Sequence, residues 1–112
     1  MGEVNVVSLL SGTGNQNIKI EYSEHILAPG NNNNLRTVPM GDTNIIIYFD
    51  RSIPGRKSAF KLINNNTAEN ISISSSVAGG APCTINYTAS NNTLSAYAPY
   101  DMIVSIFIVT ID

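Results

Sequence analysis

The stretch Met-Ile-Val-Ser-Ile-Phe-Ile-Val-Thr-Ile at residues 102–111 decides how the rest of the chain is interpreted. It is rich in β-branched residues, which predicts a strand, and both faces of that strand are apolar. One face carries Ile103, Ser105, Phe107, Val109 and Ile111, and the other carries Met102, Val104, Ile106, Ile108 and Thr110. Because a strand of a simple sandwich keeps one face in water, the second apolar face needs a cover.

The predicted cover is a second copy of the same chain. An open patch of this kind would reach a few hundred Å², which monomers seldom expose, and each side chain gains roughly 1.5–3 kcal/mol on burial. We predict that Val104, Ile106 and Ile108 form this contact face. Val7 and Leu9, in a first strand that is also apolar on both sides, are predicted to join them. The alternative cover is a loop over residues 24–34.

The other apolar runs are short and alternate with period two, and they are separated by Gly, Pro and Asn clusters. Such spacing is typical of a β-sandwich. We predict an all-β, antiparallel, jelly-roll or Greek-key-like sandwich of about eight to nine strands. It forms one domain over residues 1–112. The Asn run at 31–34 is predicted to be a loop, because Asn tolerates positive φ.

The composition excludes several classes of protein. Charged residues make up 12% of the 112 residues and the net charge is −2, whereas Asn, Ser and Thr together account for 35 residues. A nucleic-acid binder with a basic surface is therefore not expected. No apolar run has the length of a transmembrane helix, and residues 1–10 do not resemble a signal peptide. The neutral polar surface favours an extracellular or surface-associated protein.

The sequence favours a protein that is not an enzyme. Its one histidine, His25, is predicted to be an exposed loop residue, and no Gly-X-Ser-X-Gly motif is present. The one cysteine, Cys83, alternates with Ile85 and Tyr87, which predicts a small buried side chain.

Carboxylates give no stronger signal. The pairs Glu21 with Glu24 and Asp42 with Asp50 match no catalytic spacing. We expect no cofactor. Calcium is the alternative, and its candidate oxygen ligands are Asp42, Asn44 and Asp101.

Two binding sites are predicted as alternatives to a purely structural role. A lectin-like site for neutral glycans would use Tyr97, Tyr100, Asp101, Asn91 and Asn92, because sugars stack on aromatic rings and bond to amides. An anion site would use Arg51, Arg56 and Lys57 around one turn, where a solvated hairpin tip is the simpler interpretation.

The leading hypothesis is therefore a non-enzymatic β-sandwich subunit that forms a homo-oligomer, fibre or surface assembly. A carbohydrate-binding module is the second hypothesis. A membrane-active toxin component is the third, although the chain has only eight aromatic residues with which to insert, five Tyr and three Phe.

Overall fold

The computed structural model describes residues 3–7, 17–52, 57–67, 70–74 and 82–112. These residues form strands and turns without a helix, and the strands lie in two antiparallel sheets. The strands are β1 (Glu3–Val7), β2 (Asn17–Leu27), β3 (Gly30–Thr37), β4 (Thr43–Asp50), β5 (Ser58–Asn64), β6 (Asn70–Ser74), β7 (Thr84–Thr88), β8 (Thr93–Ala98) and β9 (Met102–Ile111). The predicted all-β antiparallel sandwich is confirmed.

The two sheets differ in size. The large sheet has the order β1-β2-β9-β4-β5-β6, and the small sheet has the order β3-β8-β7. The last strand, β9, lies between β2 and β4, and β3 pairs with β8, so strands that are distant in sequence are neighbours in both sheets. β9 pairs with β2 over its whole length and with β4 over Val104–Ile111, so most of its backbone is paired on both sides, as its long apolar sequence requires.

The core lies between the sheets. Val104, Ile106 and Ile108 are fully buried in it, and the small sheet contributes Leu94 and Ile85. Residues that pair across antiparallel strands share a face, so each strand's inward face can be read from its register with β9.

Several polar side chains also point inward, and they find partners there. Asn44 donates its amide to the Pro39 carbonyl at 2.8 Å and accepts a 2.6 Å bond from the Thr110 hydroxyl. Lys61, on the inward face of β5, donates to the Ile85 carbonyl of the small sheet. Burial lowers the pKa of Lys61 below its usual 10.5. The Lys61 bond joins the two sheets, and the Asn44 bonds hold β4 to β9 and to the β3–β4 connection.

The Asn run at 31–34 was predicted to be a loop, and this prediction is wrong. It lies in β3, an edge strand of the small sheet that pairs with β8. A bulge between Asn32 and Arg36 accommodates it, with Asn34 at a φ of 54°. Edge strands tolerate Asn because its side chain can remain in water while the backbone pairs on one side only.

Candidate functional site

The outward face of the large sheet is the most unusual surface of the described residues. Its side chains are the ones that alternate with the core-facing positions of β2, β9, β4 and β5. They form two apolar rows that run across these four strands. The first row is Ile20, Val109, Ile45 and Leu62, and the second is Tyr22, Phe107, Ile47 and Phe60. We call these eight residues the apolar band.

The apolar band is partly sheltered by its own packing and partly open to solvent. The rings of Tyr22 and Phe107 have centroids 4.7 Å apart, and Phe49 lies 6.1 Å from Phe107 on the side away from the first row. Ile47, at the centre of the sheet, is 38% exposed, a large fraction for an isoleucine on an inner strand. The band therefore resembles the apolar face of a sheet that packs in a core, but the described residues place no second sheet over it.

A polar cluster borders the band at one end. Arg51 donates to the Glu24 carboxylate at 2.9 Å, and the Tyr22 hydroxyl donates to the same oxygen at 2.5 Å. The Ser105 hydroxyl is 3.0 Å from that of Tyr22. Glu24 is the one charged residue at the outward register positions of the four strands, and Arg51 compensates it.

The prediction placed the interface on the face of β9 that packs in the core, and it is wrong. Val104, Ile106 and Ile108 are each 0% exposed and form the protein's own core, so they cannot contact a second copy. The apolar outward side chains of β9 are Ile103, Phe107, Val109 and Ile111. Of the two predicted contributors from the first strand, Val7 lies in β1 and Leu9 lies outside the described residues. Both faces of β9 are apolar, as predicted, but their roles are exchanged.

The alternative prediction, that a loop over residues 24–34 covers this face, is also wrong for the residues that the structure describes. Residues 24–27 continue β2, and residues 30–34 belong to the small sheet, on the opposite side of the core. This segment therefore does not fold across the apolar band.

The predicted lectin site is not assembled, because its residues lie at opposite ends of β8. Asn91 and Asn92 precede β8, whereas Tyr100 and Asp101 follow it. Tyr100 donates its hydroxyl to the buried Asp50 carboxylate at 3.1 Å, which holds the β8–β9 connection against the end of β4. Tyr97 projects from β8 itself and is 50% exposed.

Asn92 has a structural role at the other end of the sandwich. Its side-chain oxygen accepts the Tyr87 hydroxyl at 2.6 Å and the Asn66 amide at 3.0 Å, and its own amide donates to the Val38 carbonyl. Asn66 and Asn92 both have positive φ, near 50° and 56°. Asparagine supplies the turn conformation and the bonds together, which ties three connections into one network.

The predicted anion site is partly occupied by the protein itself. Arg51 is neutralised by Glu24, and Arg56 lies outside the described residues. Lys57 is half-buried and accepts the Asp50 N–H at its carbonyl, 3.2 Å away. Of the three predicted cations, Lys57 is therefore the one that the structure describes outside an ion pair, and the described residues do not form an anion pocket around it.

The carboxylates and the proposed calcium ligands are not brought together either. Glu21 faces inward and Glu24 outward on β2, and Asp42 and Asp50 lie at opposite ends of β4. Asp101 adjoins the Asp50 end, far from Asp42 and Asn44. Among the described residues, no group of three His, Cys, Asp or Glu side chains could hold a metal ion.

His25 was predicted to be an exposed loop residue, and this prediction is wrong. It lies on the inward face of β2, opposite Val104, and its Nε2 is 2.9 Å from the Ser23 hydroxyl. Arg36, from β3, donates to Ser23 at 3.3 Å and forms an ion pair with Glu21. This flank of the sandwich is thus closed by a polar cluster. Burial, and secondarily the charge of Arg36, lowers the pKa of His25 below 6.5.

This environment predicts that acid destabilises the fold through His25. The unfolded chain takes up a proton near pH 6.5, whereas the native state resists protonation, so the stabilisation is complete above 6.5 and is lost as pH falls below it. At fixed protein concentration, urea unfolding between about pH 7 and pH 5 should show a decreasing free energy of unfolding. His25→Gln should decrease less steeply. Parallel curves for the two proteins would contradict this assignment.

Cys83 is buried, as predicted, and 6% of it is exposed. It is the one cysteine of the sequence, and its thiol is free. Burial, with a smaller contribution from Asp50, raises the pKa of the thiol to about 12. A thiol in this state is a packing residue, since the reactive thiolate is not formed near neutral pH.

Comparison with known proteins gives the class of fold and little else. No protein-family model matches the chain, and no curated protein matches it. Among solved structures, it is similar to the tailspike protein gp49 from Acinetobacter baumannii bacteriophage Fri1, a capsular polysaccharide depolymerase. The similarity covers 96% of this chain with a TM-score of 0.55 and 16% identity. This chain spans 19% of the tailspike chain, about a fifth of its length. At that identity the likeness shows the fold alone.

No described helix is long and apolar enough to cross a membrane.

Proposed function

We propose that the protein is a non-enzymatic structural subunit that self-associates through the apolar band. The observation that carries this proposal is the distribution of charge across the large sheet. Lys19, Glu21 and Lys61 occupy inward positions, whereas the outward positions of the same strands are dominated by Ile, Val, Leu and Phe. The inward face of this sheet already packs in the core, so an outward face that is apolar as well makes the sheet suited to burial on both sides.

The size of the outward face fits a second copy. Four strands spaced about 4.8 Å apart, with residues rising about 3.4 Å along each, give a flat footprint of roughly 600 Å². Two such faces would bury roughly 1,200 Å², the lower limit of standard specific interfaces. The flanking strands β1 and β6 extend the same sheet and add to this area.

The chemistry of the face favours a copy of the same chain over a charged partner. Two identical twisted sheets can stack at about 10 Å with their apolar rows interdigitated. A twofold axis makes such a contact self-complementary. The charge of Glu24 is already paired with Arg51, so association leaves no carboxylate without a partner. The small net charge of −2 adds little repulsion between copies.

The resemblance to a bacteriophage tailspike supports an extracellular or surface-exposed setting for such an assembly. The separation of the carboxylate pairs within the described residues supports a role without catalysis.

Sedimentation equilibrium of the wild-type protein tests the proposal. We expect masses that are multiples of 12.0 kDa at micromolar concentration and a shift toward 12.0 kDa on dilution. A single 12.0 kDa species at all concentrations would refute self-association. If that species also released dye from lipid vesicles, the membrane-active alternative would replace it.

A further inference from the structure

The outward face of the small sheet has the opposite character to the apolar band. It is formed by the alternate residues of β3, β8 and β7, and none of them is charged. Its members by register are Asn31, Thr37, Thr84, Asn86, Thr88, Thr93, Ser95 and Tyr97. We call these eight residues the neutral face.

Tyr97 is the single aromatic residue of the neutral face and lies on its central strand. Ala96 and Ala98, on either side of it, are buried in the core, so the Tyr97 ring points to solvent. The register places Asn31 beside it on β3 and Thr84 beside it on β7. Tyr97 is 50% exposed, and its hydroxyl has no hydrogen-bond partner among the described residues. An uncommitted ring is thus flanked by an amide and a hydroxyl.

We propose that the neutral face binds a neutral oligosaccharide, with Tyr97 as the stacking platform. The C–H face of a pyranose packs against an aromatic ring, and its hydroxyls both donate and accept hydrogen bonds. Asn, Ser and Thr side chains also do both, whereas Lys and Arg only donate and ionised carboxylates only accept. A face that offers only bifunctional neutral groups is therefore complementary to a neutral polyol. An acidic glycan would require a cation that the face does not provide.

Part of the neutral face is already ordered. The Ser95 hydroxyl accepts the Asn34 N–H at 3.1 Å, and the hydroxyl of Thr93, which is buried at the edge of this face, donates to Asn91 at 2.7 Å. These bonds hold the edge of β3 and the β7–β8 turn against the sheet. Ordering before binding reduces the entropy that a ligand must overcome. The three strands present a flat area of roughly 14 by 18 Å, enough for a short oligosaccharide.

This site differs from the lectin-like site predicted from the sequence. Tyr97 is common to both, but Asn31, Thr84 and Asn86 take the places of Tyr100, Asp101 and the asparagines of the β7–β8 turn. It also lies on the side of the sandwich away from the apolar band, so self-association leaves it open.

A glycan array with neutral, sialylated and uronate-containing oligosaccharides tests the proposal, followed by titration of the best neutral ligand. We expect binding to neutral glycans. Tyr97→Ala should weaken it at least tenfold, and Tyr97→Phe, which keeps the ring, should change it by less than about threefold. Ile26→Ala removes a side chain that is 86% exposed on the large sheet and should bind as the wild type does.

Three results would overturn the proposal. The first is the absence of neutral-glycan binding on the array and in saturation-transfer NMR with neutral trisaccharides at millimolar concentration. The second is binding confined to acidic glycans. The third is unchanged affinity in Tyr97→Ala. Because Tyr97 is half exposed on an outward face, this variant is expected to fold, and an unchanged urea midpoint checks that it does.

Discussion

Ile47→Asp is expected to dissociate the assembly while leaving the subunit folded. Ile47 is 38% exposed in the isolated subunit, so a carboxylate there can reach water. Against a second copy, the same carboxylate would be buried without a partner. An uncompensated buried charge costs about 4 kcal/mol, which corresponds to roughly a thousandfold loss in the association constant. Sedimentation velocity measures the loss directly.

Two variants accompany Ile47→Asp. Ile47→Lys introduces the opposite charge at the same position and should dissociate the assembly equally, which separates burial from net charge. Asn86→Asp adds a negative charge on the neutral face and should leave the mass unchanged. If Asn86→Asp dissociates the protein while Ile47→Asp does not, the copies meet through the small sheet instead.

Ile106→Ala is expected to destabilise the fold by about 2–5 kcal/mol, because it leaves a cavity in the centre of the core. Ile106 is 0% exposed and pairs with Tyr48 of β4 and Ser23 of β2. Urea unfolding at fixed protein concentration measures this loss. The matched control is Ile26→Ala, whose effect should stay within about 0.5 kcal/mol because 86% of the Ile26 side chain is exposed.

Ile106→Ala also tests whether the inward face of β9 lies in the core or at an interface. If Ile106 lay at the interface, its truncation would lower the mass of the protein and have little effect on the unfolding of the subunit. A loss below about 1 kcal/mol for Ile106→Ala would mean that the core lies elsewhere.

Alternation predicted the strands well. The limits of β9 agree with the prediction from its apolar run, and Ile85, which alternates with Cys83 in the sequence, is buried as Cys83 is. The residue pattern is sufficient in these two segments. One face of β7 is polar and therefore faces solvent, and β9 is apolar on both faces and therefore lies inside a sheet.

Alternation failed to show which side of the large sheet faces the core. On β5, alternation correctly places Phe60 and Leu62 on one face and Lys61 on the other. Lys61 points inward, however, where its ammonium group donates to the Ile85 carbonyl. A period of two is symmetric between the faces, so the choice depends on partners that are distant in sequence. The single hint was that β9 is apolar on both sides.

The predicted sites failed for a different reason. Tyr100 and Asn92 are close in sequence, but β8 separates them, because six extended residues span roughly 20 Å. The neutral face could not be found from spacing, since Asn31 and Thr84 meet Tyr97 only through the pairing of three strands. Sheet register carries this information, and local sequence does not.

The most direct measurement of the central claim is the solvent exposure of the apolar band in the assembled protein. Methyl NMR spectra recorded with a soluble gadolinium chelate would report on Ile45, Leu62 and Val109. In the wild type at high concentration, we expect these methyl signals to be protected while that of Met40, which is 71% exposed in the β3–β4 connection beside Asn92, is broadened. In Ile47→Asp all of them should broaden. Equal broadening of all four residues in the wild type, at any concentration, would contradict a second copy on this face.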